Sequence, residues 1–144
     1  MAMTAKDLLA MKTDLIKKKD QTIDIDIKDM GTWTFYVPTF ADISDATVYR
    51  DEHYGESNSP KLDSILVFKQ TKEPNLYEQD VVEMLAEVSG NGEKTAGEWE
   101  VETLLKAGQI TRISRLLMNQ AGFSEDSAVA VIENEIKGAE EVKK

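Results

Sequence analysis

Residues Ile23-Asp24-Ile25-Asp26-Ile27-Lys28-Asp29-Met30-Gly31-Thr32-Trp33-Thr34-Phe35-Tyr36-Val37 decide the fold. Apolar side chains recur at every second position on both sides of Asp29-Met30-Gly31, and successive side chains of a strand point to opposite faces. The segment from 20 to 38 is therefore predicted as a β-hairpin ending at Pro38, with Ile23, Ile25, Ile27, Trp33, Phe35 and Val37 on one face. A two-stranded sheet is marginal in water. Its apolar face must lie on helices.

The flanking sequence changes to helical period. Before the hairpin, Thr4 and Asp7 have capping-box spacing, Leu8, Leu9, Met11, Leu15 and Ile16 line one side, and Lys17, Lys18 and Lys19 fall where the negative end of the macrodipole sits. This predicts one helix within residues 1–19, from Thr4 to Lys19. After Pro38, helices are predicted over 41–53 (Asp42 as N-cap; Ile43, Ala46 and Val48 inward), 62–72 (Leu62, Ile65, Leu66, Phe68) and 79–88 (Val81, Val82, Leu85, Val88). Two more are predicted over 98–106 (Trp99, Leu104, Leu105) and 109–121 (Ile110, Ile113, Leu116, Leu117). Gly55 to Pro60 and Lys72 to Asn75 read as breaks, the second because a proline disfavours the α conformation in the residue before it. Gly108 is expected to close the fifth of these helices.

Ser89 to Gly97 is glycine-rich and predicted to be a mobile loop. Ser124, followed by Glu125 and Asp126, is predicted to cap a final helix to Lys137 carrying the stripe Val129, Ile132 and Ile136, and residues 138–144 read as a frayed tail. The whole is expected to be an α+β, mostly α-helical protein: a helix-rich single domain over 1–144, whose helical part runs 39–137, with one small β-hairpin near the N-terminus.

Composition limits the chemistry. The 144 residues carry a net charge of −10, one histidine and no cysteine. Disulfides, thiolate metal sites, iron–sulfur clusters and cysteine nucleophiles are thereby excluded. A pI near 4.6 argues against duplex-DNA binding, whose affinity comes from Lys and Arg neutralising phosphates. No apolar run reaches the roughly 18–20 residues that span a bilayer, and no apolar stretch of a secretory leader follows the N-terminal Met. A cytoplasmic location is expected. The charge is uneven: residues 73–102 hold nine acidic and one basic side chain, and residues 103–119 hold three basic and none acidic. The acidic block is expected to pair with the basic helix after it or to steer a basic partner.

No catalytic constellation emerges. Counting a calcium loop from Asp24 puts Lys28, Asp29 and Phe35 where an oxygen ligand, Gly and Glu are needed. Gly90-Asn91-Gly92-Glu93-Lys94-Thr95 places a carboxylate inside a would-be phosphate cradle and follows a helix, not a strand. Glu98, Glu100 and Glu102 read as the solvated start of a helix, and His53 beside Tyr54 and Gly55 as a structural or exposed side chain. Arg112 and Arg115 are expected to form salt bridges with the acidic segment upstream. No metal or cofactor is expected, and no enzyme activity. Amphipathic helices without catalytic residues favour binding or chaperoning.

A resemblance sharpens that reading. A short helix, the hairpin from Ile23 to Val37 and then Phe40-Ala41-Asp42-Ile43-Ser44-Asp45-Ala46 resemble the opening of the XkdN-like phage tail assembly chaperones of PBSX-type prophages. So do Glu73-Pro74-Asn75-Leu76, Leu104-Leu105-Lys106-Ala107-Gly108-Gln109-Ile110-Thr111-Arg112-Ile113-Ser114 and Asn119-Gln120-Ala121-Gly122-Phe123. The similarity covers residues 20 to 123. The chain departs from it at Gln109, where an acidic residue is usual, at Ala107, where Pro is common, and in the Ser89 to Gly97 insertion.

The resemblance implies a non-enzymatic protein of a phage or prophage, made in the bacterial host cytoplasm. Such proteins bind the long helical tape-measure protein, and tail-tube subunits assemble with their help. The alternative in the same setting is a minor structural tail protein retained in the virion. Within this reading the final stripe, Val129, Ile132 and Ile136, is the predicted partner-binding surface. Neither nucleic acid nor membrane is expected as a partner, and the sequence leaves the oligomeric state open.

Overall fold

A computed structural model describes residues 2–56 and 58–123. Strands β1 (Thr22–Ile27) and β2 (Gly31–Tyr36) form the expected antiparallel hairpin, with Ile23 opposite Phe35 and Ile25 opposite Trp33. The connection is tight: the Met30 N–H donates to the Ile27 carbonyl at 2.9 Å, and Asp29 adopts φ 69°, a left-handed value that a short polar side chain tolerates. On the outward face the Thr34 hydroxyl donates to Asp24 at 2.7 Å, so the polar half of the alternation is knitted across the strands.

The hairpin is not alone. A third strand, β3 (Thr71–Glu73), pairs antiparallel with β2 and gives the sheet order β1-β2-β3. The sequence pattern predicts residues 71–72 as the end of a helix and 73 as part of a break. The backbone instead turns extended at Thr71, and Thr71 Oγ1 satisfies the Val67 carbonyl at 2.7 Å as the helix stops.

Helices surround this sheet. The N-terminal stretch is two pieces, α1 (Ala5–Ala10) and α2 (Lys12–Lys19), broken at Met11 where one continuous helix was expected. The Thr4–Asp7 capping box forms as its spacing predicts. Helix α3 (Phe40–Tyr54) starts one residue earlier than read, because Thr39 is the N-cap and Asp42 the reciprocal third residue of the box. Helices α4 (Ser59–Gln70), α5 (Gln79–Ser89), α6 (Glu98–Leu104) and α7 (Ala107–Gln120) follow.

Gly108 does not end α6; it lies in the first turn of α7. There the Gln109 side chain accepts from the Lys106 N–H at 2.9 Å and donates to the Lys28 carbonyl of the hairpin turn at 3.3 Å. Gln109 thus starts the helix and fastens it to the sheet. Gly90 ends α5 in the left-handed conformation, and residues 90–97 bridge to α6.

The core forms where the sheet's apolar face meets α4, α6 and α7. Ile27, Trp33 and Phe35 pack with Val67, Leu76, Val101, Leu105 and the α7 stripe Ile110, Ile113 and Leu117. Burying each large side chain contributes about 1.5–3 kcal/mol. A smaller cluster, Ala46 with Ile65 and Leu66, joins α3 to α4. Gln70 closes the seam between sheet and α3, donating to the Tyr36 carbonyl at 3.1 Å and to Asp42 at 3.2 Å. Val48, Val88 and Leu116, read as inward-facing, are exposed at the margins of their stripes. Among the described residues no helix is long and apolar enough to cross a membrane.

Candidate partner-binding surface

Helices α1 and α2 bury nothing. Their apolar stripe, Leu8, Leu9, Leu15 and Ile16, points to solvent, with Leu9 79% exposed. With Lys12 and Lys19 these four side chains line a shallow groove of about 350 Å³. A second groove of about 310 Å³ adjoins it, shares Leu15 and Lys19, and is continued by Lys18, Val37, Phe40 and Ala121. Phe40, the first residue of α3, is 85% exposed at its wall. The two grooves form one strip running from α1 past the base of the hairpin to the end of α7. Its rim is basic on a chain of net charge −10.

A contiguous exposed apolar strip of this kind is a candidate interaction surface. The alternation of residue types announced the amphipathic character of α1 and α2, yet such a stripe is ordinarily read as facing the core. Phe40 carries no warning in the sequence: at three residues before Ile43 it fits the inward stripe of α3. The predicted partner-binding residues Val129, Ile132 and Ile136 lie outside the described residues.

The acidic block folds differently from its expectation. Glu98 and Glu100 are buried, Glu100 completely. Tyr54 donates its phenol to Glu98, and Lys61 of α4 reaches Glu102 at 3.0 Å and Glu98 at 3.8 Å. Lys61 also lies 4.6 Å from the Tyr54 ring centre. These contacts tie the ends of α3, α4 and α6 together. The hydrogen bond to Glu98, reinforced by burial, pushes the Tyr54 phenol well above the ordinary tyrosine range and keeps it a donor.

Arg112 and Arg115 take no part. Among the described residues neither forms the expected ion pair, because both stand on the exposed side of α7 and Lys61 already occupies the acidic cluster. His53 is exposed, stacks on Tyr49 with ring centres 4.0 Å apart, and its Nδ1 donates to the Tyr49 carbonyl at 2.9 Å. Burial, then the Glu98 charge, raises the Tyr49 phenol.

Glu100 is the residue that sequence reasoning missed most plainly. One carboxylate oxygen accepts from the Gly97 N–H at 3.3 Å; the other, Oε2, has no partner among the described residues. Burial raises its pKa against the lowering effect of the Gly97 hydrogen bond. Among the described residues no group of three or more His, Asp or Glu side chains is arranged to hold a metal ion. No known family model, curated protein or solved structure matches the chain.

Proposed function

We propose that this protein is a phage or prophage tail assembly chaperone. It binds the tape-measure protein in the bacterial host cytoplasm and assists assembly of the tail tube through protein–protein contacts, without catalysis. The observation that supports this reading is the open apolar strip along α1, α2 and Phe40. A tape-measure protein offers long amphipathic helices, and such a helix lays its apolar face into a hydrophobic groove, reading it through side chains three and four residues apart. Lys12, Lys18 and Lys19 at the rim favour a segment with acidic flanks.

The test is co-purification of the full chain with the tape-measure protein, comparing the native protein with the double variant Leu8→Ser, Ile16→Ser. Capture should fall strongly while the melting temperature stays unchanged. Equal capture by both proteins would remove the strip from the reading. Mass spectrometry of purified tails tests the role itself: a chaperone is absent or strongly substoichiometric, whereas stoichiometric retention identifies a minor structural tail protein instead.

A further inference from the structure

The connection between α5 and α6 carries a chemical weak point. We propose that Asn91 is a site of spontaneous covalent modification: the Gly92 backbone nitrogen attacks its side-chain amide, and the neutral residue becomes a mixture of aspartate and isoaspartate. Water is the only co-reactant, and the identity of any partner does not enter.

Asn-Gly occurs once in the sequence, at 91–92. Electrophile, nucleophile and access meet there. The Glu93 N–H donates to Asn91 Oδ1 at 2.8 Å, closing a turn that contains the Gly92 peptide, so the side-chain carbonyl is tethered to the peptide whose nitrogen it must meet. The same N–H draws charge from that carbonyl and steadies the oxyanion that forms on attack. Among the described residues the Gly92 N–H donates to nothing. Both residues are exposed, and a β-carbon at Gly92 would meet nothing within 4 Å, so water can enter and ammonia can leave. Gly92 itself, at φ 69°, puts no side chain in the way and lets the backbone bend towards the ring.

Hydroxide takes the Gly92 N–H proton and the nitrogen bonds to Asn91 Cγ. The bond from Cγ to Nδ2 breaks, ammonia leaves with a proton from water, hydroxide is restored, and a succinimide ring remains. Water then adds across one of the two ring bonds to nitrogen. Opening at Cγ gives aspartate; opening at the main-chain carbonyl gives isoaspartate, whose backbone runs through the former side chain. Nothing is oxidised or reduced.

Asn75 shows what the site requires. Its Oδ1 accepts from the Tyr77 N–H at 3.0 Å in the same kind of turn, but the residue between is Leu76, 2% exposed, whose buried side chain crowds the nitrogen and holds the backbone. Asn58 is engaged as the N-cap of α4, and Asn119 lies within α7, whose backbone is committed to the helix. Each event at Asn91 adds one negative charge to a chain of net charge −10, beside a hollow lined by Glu83, Glu87, Glu93 and Lys94. Isoaspartate also lengthens the main chain by one carbon between α5 and α6.

The full chain is held at neutral and at mildly alkaline pH, natively and in urea, and digested at intervals for mass spectrometry, with electron-transfer fragmentation separating aspartate from isoaspartate. The Asn91 peptide should gain the mass difference between water and ammonia, contain isoaspartate, and react faster as hydroxide rises. Its native rate should match or exceed the rate in urea. Gly92→Ala should slow the loss by an order of magnitude or more, and the peptides holding Asn58, Asn75 and Asn119 should stay unchanged over the same period. Three results overturn the proposal: a native Asn91 amide that outlasts the unfolded one by an order of magnitude, Asn75 reacting as fast as Asn91, or a rate indifferent to pH.

Discussion

Replacing Glu100 by Gln isolates the cost of a buried charge with little change of shape. Of the two carboxylate oxygens, Oε1 holds a long bond to the Gly97 N–H at 3.3 Å and Oε2 holds none. Leaving a buried acceptor unpaired costs about 1–3 kcal/mol, more when it is charged. The amide keeps the Gly97 contact and leaves one neutral donor unpaired, a penalty at the low end of that range. Glu100→Gln should therefore stabilise the protein by roughly 1–2 kcal/mol where the carboxylate is ionised.

The sign with pH follows from the direction of the shift. Burial raises the folded-state pKa above its unfolded value. Below the ordinary glutamate range the carboxyl is protonated in both states and carries no penalty. Native stability contributed by this group is then lost as pH rises through the raised value, because only the unfolded state ionises freely. The gain from Gln should be near zero at acid pH and grow towards alkaline pH. Urea unfolding from pH 4 to pH 9 measures it. With a slope of about 1–3 kcal/mol/M, the midpoint should move up by roughly 0.5–1 M at the alkaline end. A lowered midpoint there, or the same gain at every pH, would refute the assignment of Glu100 as an unpaired buried acid.

Three further outcomes follow from packing and capping. Phe35→Ala empties the centre of the sheet–helix core and should cost about 3–5 kcal/mol in urea unfolding, a large share of a domain's usual margin. Thr39→Ala should cost about 1 kcal/mol, because α3 packs on α4 through Ala46. Thr4→Ala removes the same motif from a helix that buries nothing and should leave the global midpoint within about 0.5 kcal/mol of native. An equal loss at both threonines would show that α1 is part of the cooperative core.

The strands of the hairpin and most helices were legible because their side chains repeat with one period and their ends carry local chemistry. Ile23 to Ile27, Trp33 to Val37 and the Thr4 box needed no tertiary information. β3 did not show, since three residues directly after α4 are too few for any alternation, and only the exposed edge of β2 recruits them. Asp42 resembles a cap because both members of a capping box carry oxygen; the N-cap itself is Thr39, three residues earlier and directly after Pro38. Glu98 and Glu100 were read as solvated, which is the usual state of carboxylates at a helix start. For Glu98 that burial depends on α3 and α4 arriving with Tyr54 and Lys61, from positions far upstream. The strip on α1 and α2 was visible as a stripe but not as a surface: amphipathicity says that a face wants cover, not whether the chain supplies it.

The core joins the start of the chain to its later part, and synthesis makes that join late. The cluster around Phe35 and Trp33 is complete only when Leu117 of α7 is available, some eighty residues further on. At about 5–20 residues per second of translation, the greasy side of the hairpin waits roughly 4–16 s on the ribosome before its lid has been made.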